Sequence, residues 1–166
     1  MLFLISTACS RAGGNNSSSP TPSSGTQPRR ISSVDVVKAS PEQVTISPGG
    51  TVAAHVRLKI DDGYHVNANP PSFPYLKATE LELTPDGGLS VSFTKYPDPL
   101  LKKFSFSESP LAVYEGDATL SAQLKADRSI ALGRKNLSGK LRVQACDDQV
   151  CYAPGEMDIV IPVNVQ

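Results

Sequence analysis

The chain has 166 residues, with 16 Lys+Arg balanced by 16 Asp+Glu, three Cys, 14 Pro, 12 Gly and no Trp. That length suits one domain of ordinary size plus an unstructured extension, and zero formal net charge removes the long-range electrostatic case for binding nucleic acid or an anionic membrane surface. No apolar run approaches the roughly 20 residues of a membrane-spanning helix, the missing Trp excludes an antibody-type core, and an odd cysteine count gives at least one cysteine a separate task.

Residues Met1–Cys9 are uncharged and mostly apolar, and the composition changes abruptly after them. From Ser10 to Ser33, 18 of 24 residues are Ser, Pro, Gly, Thr or Asn. Such a stretch has too little apolar surface to offset the entropy of ordering it, so residues 10–33 are expected to form a disordered tether. An apolar start, small residues, a cysteine and then a Ser/Gly/Asn linker resemble the end of a bacterial lipoprotein signal, in which the cysteine becomes the lipidated first residue. That resemblance makes Cys9 the expected lipid anchor and residues 1–9 the signal remnant, with the domain working outside the cytosol. The alternative is a plain free thiol at Cys9.

From Val34 onward the pattern alternates with a period of two. In Thr51–Ile60, Val52, Ala54, Val56, Leu58 and Ile60 share one face, and Ala53, His55, Arg57 and Lys59 share the other. Leu89–Phe93 repeats the scheme, with Leu89, Val91 and Phe93 inward, as do Ala118, Leu120, Ala122 and Leu124, then Leu141, Val143 and Ala145, then Ile159, Ile161, Val163 and Val165. Weaker strands are expected at Val34–Lys38, Gln43–Ser47 and Thr79–Leu83, with turns at Ser47–Gly50, Asp61–Gly63, Pro85–Gly88 and Glu115–Asp117. No window of 11 residues or more sustains a helical period. Residues 34–166 therefore read as one all-β domain, a two-sheet antiparallel sandwich of immunoglobulin-like type.

Cys146 ends a strand, and Cys151 follows a turn leading through Pro154-Gly155 into the last strand. Four intervening residues in a hairpin-like connection can bring the two Cα atoms within disulfide distance, and in an exported protein that bond is the default. A structural staple is one use for it, although a closed loop of about six residues contributes only roughly 2 kcal/mol. A zinc site would need His55 and His65 as well, without the two compact ligand pairs of structural sites. No metal and no cofactor is expected.

Four segments carry a family likeness: Asp62-Gly63-Tyr64-His65-Val66, Tyr96-Pro97 followed by a loop with Phe104, Val113-Tyr114-Glu115-Gly116, and above all Gln144-Ala145-Cys146 with Val150-Cys151-Tyr152-Ala153-Pro154. Over roughly residues 35–166 the chain resembles the N-terminal periplasmic domain of the bacterial thiol:disulfide interchange protein DsbD. The resemblance implies an immunoglobulin-like fold whose two cysteines cycle between dithiol and disulfide. It implies a protein-disulfide reductase module that takes electrons from a thioredoxin-like domain and passes them to envelope partners, including disulfide isomerases and proteins of cytochrome c maturation. By the family pattern Cys151 forms the mixed disulfide and Cys146 resolves it. A capping loop falls on Pro99–Pro110, with Phe104 as the cap and Phe106 as the fallback, and Tyr64 matches a family aromatic near the cysteines. DsbD itself continues into a membrane domain and a thioredoxin-like domain, so this chain is expected either to meet its membrane electron carrier in trans or to belong to a related stand-alone branch with its own direction of electron flow.

Other readings of the same residues stay open. Asp147 and Asp148 place negative charge beside the thiols, which disfavours a thiolate, or they are a solvated turn. Phe104 and Phe106 alternate around Ser105 and could be strand residues, Tyr64 could merely close a turn, and His65 reads as a surface or hydrogen-bonded histidine. A lipid-anchored sandwich that binds an envelope protein, its disulfide purely structural, is the competing function.

Overall fold

Alternation in the sequence becomes alternation in burial in the computed structural model, which describes residues 31–166. All the regular structure there is β-strand. One sheet runs β1 (Val37–Pro41), β3 (Thr51–Ile60), β9 (Asp117–Ala126), β6 (Leu89–Lys95), and a second runs β2 (Val44–Ile46), β12 (Gly155–Val165), β10 (Gly133–Val143), β5 (Glu80–Leu83). Pairing is antiparallel except between β2 and β12, which run parallel. Val56, Leu58, Leu120 and Leu124 from the first sheet and Leu137, Leu141 and Ile161 from the second are fully buried in one core. Burying each such side chain contributes about 1.5–3 kcal/mol. The fold is the expected all-β, immunoglobulin-like class.

A third sheet was not legible as strands. It runs β11 (Ala145–Cys146), β4 (His65–Asn67), β8 (Leu111–Tyr114), β7 (Leu100–Lys102), all antiparallel. Its members are two to four residues long, too short for a period to show. In β4 all three residues are buried, so no alternation exists to be read.

Two expected details shift. The first strand begins at Val37 rather than Val34, because residues 33–36 form a turn: the Asp35 N–H donates to Ser32 O at 2.9 Å and the Ser32 N–H to Asp35 Oδ2 at 3.0 Å. Phe93, expected inward, is 59% exposed. The register of β6 against β9 shifts between Val91 and Phe93, and such a bulge turns the following side chain out of the core.

Ser33, counted with the tether by composition, belongs to the folded domain. It is fully buried, its hydroxyl donates to Ala153 O at 2.6 Å, and it accepts from the Ala145 N–H at 2.9 Å. It thereby clasps the strand before Cys146 to the segment after Cys151. Ser33→Ala removes both bonds at once, and leaving these backbone groups without that partner should cost about 1–3 kcal/mol. Urea unfolding of the two proteins measures this; equal midpoints would contradict the clasp.

Candidate functional site

Cys146, at the end of β11, lies directly opposite His65 of β4, and Cys151 returns opposite Cys146 in an isolated antiparallel bridge. Directly opposed residues project from the same face with Cβ atoms about 4.5–5.5 Å apart. Cys151, Cys146 and His65 therefore form one row across three chain segments. The two cysteines are disulfide-bonded, with their Cα atoms 3.9 Å apart. Cys146 is fully buried, and Cys151 is partly exposed.

The connecting turn is held by Asp147. Its N–H donates to Val150 O at 3.0 Å, and its Oδ1 accepts from the N–H groups of Gln149 and Val150, each at 2.8 Å. The Tyr152 hydroxyl donates to Oδ2 at 2.5 Å. That bond, with the two backbone donors, holds the Asp147 carboxyl below its ordinary range and pushes the Tyr152 phenol up to about 12. Asp147 is thus a turn cap rather than a freely solvated charge. Asp148 is the exposed one, its carboxylate 4.0 Å from Lys102 Nζ. Lys102 also pairs with Glu115 at 2.6 Å and lies 5.4 Å from the centre of the Phe104 ring. The acidic turn therefore has a cation beside it, which composition around the cysteines did not show.

The stretch Pro99–Pro110 is part strand and part loop, since its first residues form β7 and residues 103–110 form a loop. Phe104 and Phe106 lie in that loop, outside any strand. Phe104 is buried in a satellite cluster with Leu76, Leu111 and Val113, and its ring stacks on the His65 imidazole at 4.1 Å. Phe106 is 40% exposed and stacks on Phe104 at 5.3 Å. Between them, the Ser105 hydroxyl donates to Asp148 O at 2.9 Å and latches the loop to the cysteine turn. Beside Cys151 opens a groove of about 340 Å³, walled by Tyr75, Leu76, Phe106, Leu111 and Val150. Tyr64 does close a turn, its N–H donating to Asp61 O at 3.1 Å, and its ring also lies 6.1 Å from that of Tyr152.

Gln144 and His65 are among the residues at the site that sequence reasoning left without a role. Gln144 is a hub: its Oε1 accepts from Asn67 Nδ2 at 3.0 Å and the Lys77 N–H at 2.8 Å, and its Nε2 donates to Tyr152 O at 3.2 Å. It joins β4, the groove wall and the chain after Cys151; its place in the matched cysteine segment was the only sequence signal. His65 corrects the expectation of a surface or hydrogen-bonded histidine. It is 1% exposed, and its Nε2 has no hydrogen-bond partner. Burial lowers its pKa to about 4 and Lys102 acts in the same direction, against the opposing pull of Glu115, Asp148 and Asp147.

Among the described residues no three His, Cys, Asp or Glu side chains group to hold a metal ion, and His55 lies on β3 of a different sheet from His65. No helix among them is long and apolar enough to cross a membrane. Cys9 lies outside the described residues.

The model of the family named for the N-terminal part of the thiol:disulfide interchange protein DsbD matches residues 33–161. The chain belongs to this family. Family membership and the disulfide-bonded pair together place it with thiol:disulfide interchange proteins. Among solved structures, it is similar to the DsbD N-terminal domain of Neisseria meningitidis in its reduced form, with 20% identity over 68% of this chain and 78% of that one and a TM-score of 0.47. It is also similar to the N-terminal periplasmic domain of ScsB from Proteus mirabilis, with 21% identity over 77% of this chain and 45% of that one and a TM-score of 0.49. None of the curated proteins matches.

In the DsbD-type site His65 makes stability depend on pH. Its folded pKa, about 4, lies below the ordinary value of 6.5, so the unfolded chain binds the extra proton first. The stabilisation is complete above the unfolded value and is lost as pH falls toward the folded one, an effect of about 3 kcal/mol between pH 7 and pH 4. Lowered Asp147 acts in the same direction over more acid values. Urea midpoints should therefore fall less on acidification in His65→Gln than in the unsubstituted protein, and parallel falls would exclude His65 as the source.

Proposed function

We propose that this domain is an exported thiol:disulfide interchange module that passes electrons between thioredoxin-like proteins and envelope partners through Cys146 and Cys151. The observation that carries the proposal is the asymmetry of the pair. Cys146 is sealed in the third sheet, whereas Cys151 is partly exposed beside an apolar groove. In reduction of the domain, a partner thiolate attacks Cys151 Sγ, the Cys146–Cys151 bond breaks, and its electron pair leaves on Cys146 Sγ. A second partner thiol then attacks the mixed disulfide and releases Cys151. Running in reverse, reduced Cys151 attacks a partner disulfide and Cys146 resolves the mixed disulfide, so the partner is reduced and the domain oxidised.

The remaining site residues take roles around that exchange. Phe104 shields the Cys146 side of the row from small oxidants, and Phe106 with Val150 receives the partner's apolar contact beside Cys151. Asp147 and Asp148 shape the cysteine turn, with Asp147 fixing the loop between the sulfurs, and Tyr64 flanks it through the Tyr152 ring. The periplasm is the compartment that suits such a pair, and a lipid on Cys9 would hold the domain at a bacterial membrane, close to a membrane electron carrier. Family membership and cysteine exposure support the exchange role of Cys146 and Cys151, and the lipid on Cys9 rests on the sequence resemblance alone.

Two measurements test the proposal. Equilibration of the domain with glutathione buffers should give a potential in the range of exchangeable pairs, above about −300 mV; a value well below that marks a resistant structural bond and ends the exchange reading. For the cap, reduced Phe104→Ala should be alkylated about tenfold or more faster than the unsubstituted protein, since exposure of a buried thiol governs its reaction. An unchanged rate would remove Phe104 from the shield.

A further inference from the structure

His65 occupies a place an apolar residue would fill more cheaply. It lies directly opposite Cys146 in the pairing of β4 with β11 and stacks on the Phe104 ring, 1% exposed, with Nε2 lacking any hydrogen-bond partner. Orphaned buried polar atoms are uncommon in native structures and call for an explanation beyond packing. The neighbour in the row supplies one. Cys146 is fully buried, and the exchange needs its thiol to lose a proton where water does not reach. A thiol in apolar surroundings holds its proton more tightly than one in water.

We propose that His65 is the proton acceptor for Cys146 when the mixed disulfide at Cys151 is resolved, an assignment that rests on the exchange reading above. The Cys146 S–H proton passes to the unpaired imidazole nitrogen, and the Cys146 thiolate attacks Cys151 Sγ. The intramolecular S–S bond forms, the bond from Cys151 to the partner breaks, and the partner leaves as a thiolate. One thiol and one mixed disulfide thus become one disulfide, one partner thiolate and one imidazolium. The imidazolium forms within reach of the charges of Glu115, Asp147 and Asp148, opposed by Lys102, whose ammonium is paired with Glu115. Once the capping loop opens to release the partner, the imidazolium gives its proton to water, because burial makes the neutral ring the resting form. Read backwards, the imidazolium returns the proton to the Cys146 thiolate when the disulfide is opened.

The same pair explains why the cap is an aromatic. A ring stacked on the imidazole at 4.1 Å closes over one face of His65, whose strand partner is the buried Cys146. Opening the cap would expose both, so proton transfer and partner access are confined to one arrangement of the loop.

The test uses the reduced full chain mixed with excess oxidised glutathione, quenched in acid, with the mixed disulfide and the intramolecular disulfide counted by mass. In the unsubstituted protein the resolution rate should be nearly flat between pH 6 and pH 8. In His65→Gln it should be about tenfold or more slower at pH 7 and rise about tenfold per pH unit, as expected when only hydroxide removes the proton. Equal rates and equal pH profiles would overturn the assignment. A second measurement needs no variant: the His65 ring titration, followed by NMR, should differ between the dithiol and disulfide forms, because in one the neighbour is an ionisable thiol. Identical titrations would likewise overturn it. If Cys151 takes no glutathione, the exchange reading fails by itself, while the ring titration still decides whether His65 and Cys146 share a proton.

Discussion

The disulfide of this domain hangs on a two-residue strand, and such a strand cannot hold itself in place. β11 has only Ala145 and Cys146 to pair with β4, and isolated pairings of that size have no stability in water. Everything around it compensates. Ser33 grips the Ala145 N–H from one side, Gln144 is bonded to Asn67, Lys77 and Tyr152 from another, and Asp147 closes the turn beyond. The Tyr152 N–H donates to Ala145 O at 2.8 Å, completing the return of the chain. The sandwich core of the two larger sheets supplies the rigid body on which these short bonds are set.

Polar and apolar restraints at the site are linked rather than separate. Lys102 stands at the end of β7, pairs with Glu115, approaches Asp148 and lies near the Phe104 ring. Ser105 bonds the loop to a carbonyl of the cysteine turn. Loop position and turn geometry are therefore a single mechanical unit, and a change in one is felt at the other. Exposed ion pairs of this type contribute little stability individually; their value here is in fixing where the aromatic rings can sit.

The large sheets were readable because their strands are long enough for period two to appear. Thr51–Ile60 and Ile159–Val165 show it directly, and so does the run from Ala118 to Leu124. The third sheet was not readable, because Val66 and its neighbours are buried on both faces and the strands are a few residues long. Phe93 went wrong for a tertiary reason, a bulge that one strand cannot announce. At the site, the cysteine pair was legible from its spacing, whereas Phe104 was singled out only through likeness to a family, since nothing in its local pattern distinguishes a cap from a strand residue. His65 was missed because burial of a histidine depends on what folds over it, and that is Phe104, 39 residues further along the chain.

The Ser33 clasp also fixes the geography of attachment. Since Ser33 is bonded to Ala145 and Ala153, the chain enters the domain at its cysteine end. The residues before Ile31 are therefore joined to the domain at that end. A body fastened to them would be leashed at the cysteine end, where the groove beside Cys151 lies. Partners sharing that anchorage would then be held within reach of the sulfurs, while the far end of the sandwich stays free of any such constraint.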